Sequence, residues 1–155
     1  MAATSTVLIS PSESRIFAED ILKSHGVSAK NAAIVAHCLV AADLHGVDTR
    51  GINHIPSYIE RIKLGSFNAT ADPTGTKVMP AVSLVDGHNG WGFVATDAAL
   101  DAAIESARTC GIGMASVKHS NHYGMTAWAV QRAIDAGMMS LVFTNSSPAM
   151  PPWGG

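Results

Sequence analysis

The sequence predicts a mixed α/β fold in which a helical N-terminal segment precedes a sheet with helices packed on it. Three observations carry that expectation. Capped, helix-periodic stretches occupy residues 1–65, a stretch rich in Thr, Pro and Gly follows over 66–80, and short apolar runs then alternate with longer helical ones over 81–155. The expected organisation is therefore a helical part, an extended linker with little regular structure, and the first part of a sheet-and-helix domain.

The first helix starts at Ser10-Pro11-Ser12-Glu13. Ser10 is a capping residue, Pro11 loses nothing at the first helical position, and Glu13 is spaced to complete a capping box. Phe17, Ile21 and Leu22 share a face, and Gly26 suits the left-handed position after the helix. Ser28 opens a second helix, in which Val35, Leu39 and Val40 recur at helical spacing before Gly46 ends it, so a helical hairpin is predicted. Ordinary core or surface roles account for His25 and His37.

Pro56 removes a backbone donor, which places it in the first turn of a third helix capped by Asn53. His54 and Tyr58 then stand four apart on one face, beside a buried stripe of Ile55, Ile59 and Ile62. Gly65 closes this helix. Beyond the linker, 81–85 reads as a strand, Asp86-Gly87-His88-Asn89-Gly90 as a turn, and 95–109 as an alanine-rich helix ended by Gly111. A strand over 112–117, a helix over 125–136 closed by Gly137, and a last apolar strand over 138–144 complete the pattern.

Composition narrows the partners. Charged residues make up 14% of the chain and the formal net charge is −2, so no basic stripe for nucleic acid is present. The longest apolar run, 32–42, contains His37 and is too short to span a bilayer. Residues 1–14 carry no basic side chain, unlike secretory or transit segments, and Cys38 and Cys110 lack metal or disulfide spacing. A cytoplasmic protein with a small-molecule or protein partner is expected.

Three polar clusters stand at element ends: Thr49-Arg50 with His54 and Tyr58, then His119 to Tyr123, then Asn145-Ser146-Ser147-Pro148. Guanidinium offers a planar fork of donors suited to a carboxylate, and histidine moves a proton near neutral pH. Each cluster also has a plainer explanation: Arg50 pairing with Asp43 or Asp48, Tyr58 as a core phenol, and Asn-Ser-Ser-Pro as a turn. His119 and His122 are spaced as a metal pair, but no acidic or cysteine third ligand lies close, so no metal is expected. Gly87, Gly90 and Gly92 are out of order for G-x-G-x-x-G, and Gly111-Ile112-Gly113 precedes a strand, so a Rossmann fingerprint is absent.

Longer motifs sharpen this reading. The run 41–54 carries Asp43, His45-Gly46, Thr49-Arg50-Gly51 and His54, and is followed by Pro56, Tyr58 and Glu60-Arg61-Ile62-Lys63-Leu64-Gly65. Val85-Asp86-Gly87 with Gly90 and Gly92, then Ser120-Asn121-His122-Tyr123-Gly124, then Asn145-Ser146-Ser147-Pro148 with Pro152-Trp153-Gly154-Gly155, complete the set. Together they resemble the malate/L-lactate dehydrogenase family that is unrelated to the Rossmann enzymes and includes ureidoglycolate and sulfolactate dehydrogenases.

The resemblance implies a non-Rossmann, largely antiparallel sheet and an NAD- or NADP-dependent oxidoreductase acting on a 2-hydroxy acid such as malate or lactate. By position, His122 falls on the catalytic histidine, Thr49, Arg50, His54 and Tyr58 on substrate contacts, and Ser146 with His122 on cofactor contacts. A homodimer is implied as well. Similar sequences carry histidine where Arg50 stands and arginine where His54 stands, so the carboxylate clamp departs from the pattern. Family members run to about twice this length, and the chain resembles an N-terminal half. A catalytically inactive, truncated homologue serving as an interaction or oligomerisation module is the alternative expectation.

Overall fold

The computed structural model describes residues 8–145, among which five α-helices and a three-stranded sheet are arranged in the order α1–α2–α3–β1–β2–α4–β3–α5. α1 (Pro11–Ser24) begins with the expected capping box. Glu13 N–H donates to Ser10 Oγ at 3.2 Å, and Ser10 N–H donates to Glu13 Oε2 at 3.2 Å, satisfying two donors that the helix cannot pair internally. Gly26, at φ +85°, turns the chain into α2 (Ala29–Leu44), whose first turn is capped by Ser28 Oγ. Leu22, Val35 and Leu39 are fully buried between these helices.

Two short 3-10 turns, Asp48–Arg50 and Ile52–His54, lead into α3 (Ile55–Lys63). Asn53 does not cap this helix. His54 occupies the cap position without a side-chain bond, while Asp43 on α2 accepts from Ile52 N–H at 3.0 Å and so fixes the turn from outside. A Cβ at Gly51 would stand 1.6 Å from Asp43 Oδ1, so a side chain there would have to displace the carboxylate that holds the turn. Ile55, Tyr58 and Ile59 are the buried residues of α3.

The stretch expected to be a linker holds β1 (Thr74–Met79), paired antiparallel with β2 (Val82–Gly90). All six β1 residues are exposed, so the strand leaves no apolar alternation in the sequence, and Pro73 and Pro80 flank it as suits an edge strand. Asn31, buried in α2, donates to Asp72 Oδ1 at 2.9 Å and anchors the approach to this edge.

β2 continues through the residues expected to be a turn. Pairing runs from Asp86 opposite Lys118 to Gly90 opposite Ser120, which leaves β2 two residues longer than its neighbour across this interval. His88 and Asn89 take up the excess in left-handed backbone, at φ 49° and 57°. Turn-forming residues are thus used for a bulge within a strand.

α4 (Gly92–Cys110) then crosses to β3 (Met114–Ser120), which is parallel to β2. The antiparallel character expected of the sheet is carried by β1–β2, and the strand order is β1-β2-β3. α4 packs on β2 and β3 and contributes Phe93, Val94 and Ala95 to the core. Arg132 on α5 (Thr126–Asp135) donates to Asp97 and, at 2.6 Å, to Asp101 of α4.

Residues 138–144, expected to be a strand, form neither helix nor strand. Their alternation is real, with Met139, Leu141 and Phe143 at least 83% exposed, but among the described residues no neighbour supplies the ladder a strand needs. Cys38 is buried and Cys110 exposed, both as free thiols, and burial pushes the Cys38 thiol up to about 12. No described helix is long and apolar enough to cross a membrane.

Candidate active site

The site forms where β3 ends and the chain runs through Asn121–Met125 before entering α5. Packing fixes this loop from below. A Cβ on Gly92 would meet Asn121 O at 2.1 Å and His122 O at 2.4 Å, and one on Gly124 would enter the Phe93 ring at 2.4 Å. The start of α4 therefore lies directly against the loop backbone. His122 is half-buried, with its ring 6.2 Å from that of the fully buried Phe93 at an interplanar angle of 86°.

α3 supplies the opposite wall. Tyr58 is only 4% exposed, packs edge-on against Trp91 and Phe93, and brings its hydroxyl to 2.7 Å from His122 Nδ1. The ring of His54, one turn earlier, lies 5.6 Å from the Tyr58 ring and 5.3 Å from the His122 ring. Spacing of four on a helix explains why both reach one place.

Electrostatics follow from this geometry. Burial is the first cause holding His122 down at about 4, and the neighbouring His54 and the guanidinium groups of Arg50 and Arg61 add to it. The imidazole is neutral near pH 7. Burial also raises the Tyr58 phenol, so its proton stays on. A protonated phenol can donate to Nδ1, leaving the proton on Nε2, or accept from Nδ1–H, leaving a lone pair on Nε2. The contact survives in either neutral form, and once Nε2 has taken a proton Nδ1–H donates to the phenol oxygen, so the same contact also holds the imidazolium.

The proposed site residues fall unevenly on this arrangement. His54, Tyr58 and His122 converge. Arg50 is exposed on the 3-10 turn, donates to Thr49 O at 3.0 Å, and reaches the others only through its charge. Thr49 is exposed beside it. Tyr58 backs His122 from the core instead of facing outward, and Ser146 lies outside the described residues. His119 is held apart from His122, with Nδ1 3.1 Å from both carboxylate oxygens of Asp86. Among the described residues no group of three His, Cys, Asp or Glu side chains could hold a metal.

Arg61 and Asn121 were given no role by sequence reasoning, yet Arg61 Nη2 donates to Asn121 Oδ1 at 2.8 Å directly beside His122. Their signal was positional: Arg61 stands three after Tyr58, and Asn121 one before His122. Two surface depressions lie away from the His122 site, one between α4 and α5 lined by Asp101, Arg108, Arg132 and Asp135, the other between α1 and α3.

Comparison with known proteins places this geometry in context. The sequence profile described as malate/L-lactate dehydrogenase matches residues 9–155. The chain is 34% identical over 149 residues to L-sulfolactate dehydrogenase of Methanocaldococcus jannaschii, covering 96% of this chain and 43% of that protein. It is 35% identical over 149 residues to malate/(S)-sulfolactate dehydrogenase of Methanothermus fervidus, covering 96% and 44%. Among solved structures, malate dehydrogenase from Entamoeba histolytica superposes with a TM-score of 0.82 at 35% identity, over 86% of this chain and 37% of that one. The chain thus spans less than half the length of these relatives.

Proposed function

Since the chain belongs to the malate/L-lactate dehydrogenase family, we propose that it interconverts a 2-hydroxy acid of the malate or lactate kind and its 2-oxo acid, with NAD or NADP as hydride carrier. The observation that carries this reading is a neutral His122 whose Nδ1 is held by Tyr58, which leaves Nε2 for the substrate oxygen. In the oxidative direction Nε2 takes the hydroxyl proton, while Nδ1–H donates to the Tyr58 oxygen and stabilises the imidazolium that forms. In the reductive direction the same nitrogen returns the proton to the carbonyl oxygen. Arg50 and His54, with Thr49 beside them, orient the substrate carboxylate through their positive and hydrogen-bonding groups.

The dinucleotide, when bound, supplies the hydride acceptor or donor opposite the substrate C2. The described residues fit its reacting end, where an imidazole with one nitrogen to spare sits among positive charges. They contain no open cradle for a pyrophosphate. A Cβ on Gly87 would meet His119 O at 2.8 Å, one on Gly90 would meet Ala71 Cβ at 2.9 Å, and Gly92 is filled by the loop, so these glycines serve internal packing. His122 and Ser146 are the residues we assign to cofactor contact. A cytoplasmic homodimer is the setting we assign to the protein.

The test is His122→Ala. Loss of a general acid–base lowers turnover of the 2-hydroxy acid by about a hundred- to ten-thousandfold, or about 3–5 kcal/mol in the barrier, with the fold retained. Near-normal turnover in that variant would remove His122 from the chemistry. Titrating NADH fluorescence against the protein separates the proposal from a non-catalytic module, which would show no binding at millimolar cofactor.

A further inference from the structure

We propose that Arg61 and Asn121 are positioning residues for His122, forming a strut that fixes the residue before the histidine while Tyr58 fixes the histidine itself. The role rests on the acid–base reading of His122 given above. Positions 58 and 61 are one turn apart on α3 and face the same way. Tyr58 Oη stands 2.7 Å from His122 Nδ1, and Arg61 Nη2 stands 2.8 Å from Asn121 Oδ1. Two contacts from one helix thus grip two consecutive loop residues, which removes the freedom of the loop to rotate about either contact alone.

The other end of the Asn121 amide is held as firmly. Its Nδ2 donates toward Asn89 O at 3.0 Å, Asn89 Oδ1 at 3.1 Å and Gly90 O at 3.0 Å. The amide orientation is therefore determined, because guanidinium only donates and the two backbone carbonyls only accept. Asn89 presents its carbonyl here through the bulge in β2, at φ 57°, and the same carbonyl accepts from Asn68 N–H at 2.8 Å. The strained turn residues of β2 thereby gain a purpose: they place an acceptor under the loop that carries His122.

Arg61 brings a second effect. Its guanidinium lies 5.6 Å over the Phe67 ring, and among the described residues no carboxylate lies within ion-pair distance of it. Its charge is left to act on its surroundings, and it opposes protonation of His122. Arg61 holds the loop through its hydrogen bond and keeps the imidazole neutral through its charge.

The experiment follows His122 by NMR titration of 13C-labelled histidine, in the intact protein and in R61Q, R61K and N121D, alongside pH profiles of kcat/KM. R61Q is expected to raise the His122 titration midpoint, and R61K to return it towards the parent value while leaving kcat low. Should R61Q fail to fold, N121D decides. It preserves shape but sets a carboxylate against Asn89 O and Gly90 O, and the midpoint is expected to rise. Folded R61Q or N121D with an unchanged His122 midpoint and an unchanged profile overturns the proposal. The titration does not depend on turnover, so it stands apart from the outcome of His122→Ala.

Discussion

Gly92→Ala isolates how tightly the His122 loop is held. The new Cβ would lie 2.1 Å from Asn121 O, 2.4 Å from His122 O and 2.6 Å from His122 C, all backbone atoms without the freedom of a flexible side chain. Ordinary contact begins at 3.4 Å, so the loop or the first turn of α4 must move by about 1 Å. Two effects oppose one another. Alanine is favoured over glycine within a helix by up to about 1 kcal/mol, whereas overpacking a well-packed site costs about 1–3 kcal/mol. The clash wins, and urea denaturation should show a net loss of about 1–2 kcal/mol. Activity should fall further than stability, because a displacement of about 1 Å in a positioned group costs about a hundredfold in rate. Gly65→Ala is the control. Gly65 sits at φ +64° with nothing within 4 Å of where the new methyl would stand, so it should lose stability through backbone strain and leave the His122 titration alone. A Gly92→Ala protein as stable as the parent, with His122 titrating normally, would refute the close packing inferred between α4 and the loop.

Two further outcomes test the electrostatics. His122 is held at about 4 against an ordinary 6.5, so the unfolded chain takes up this proton first; its effect on stability is absent above about pH 6.5, grows as pH falls towards 4, and is complete below. Denaturation midpoints across that window should fall with pH, and His122→Gln should flatten the part of the slope that this residue contributes. Exchanging the two clamp positions in an R50H/H54R variant moves a guanidinium from an exposed turn, where it rests on Thr49 O, to a position beside His122. Calorimetry should show the 2-oxo acid binding about tenfold more tightly, about 1.4 kcal/mol for one charge-assisted hydrogen bond, and equal affinity in parent and variant would remove Arg50 and His54 from the carboxylate site.

Local chemistry in the sequence made the helices legible. The capping box at Ser10 and Glu13, the cap at Ser28 and the glycines after α1, α3 and α4 are determined by neighbours three or four residues away, and all fall where expected. Features set by distant residues were not legible. β1 buries nothing and is a strand only because β2 pairs with it; the turn at Ile52 is fixed by Asp43, nine residues earlier; and the bulge at His88 and Asn89 has the composition of a turn. The same division runs through the site. His54 and Tyr58 could be paired from helical spacing, but the contact of Tyr58 with His122 spans 64 residues and that of Arg61 with Asn121 spans 60. Nothing in either local stretch encodes such an approach.

The charges around His122 also bear on the order of events at the site. Burial comes first in disfavouring a proton on the imidazole, and the Arg50 and Arg61 guanidinium groups act in the same direction. A substrate carboxylate set against Arg50 and His54 would cancel part of that field, and the affinity of His122 for a proton would then rise. If the site takes a 2-oxo acid as proposed, its binding and uptake of the proton its reduction needs would be coupled, because the anion and the proton would answer the same positive charges. The 2-hydroxy acid carries the same carboxylate, which would likewise raise the affinity of His122 for the hydroxyl proton it has to take. Tyr58 lets either state persist, since its hydroxyl satisfies Nδ1 with or without a proton there. The Arg61 charge acts on the imidazole whichever of Arg50 and His54 would meet a carboxylate.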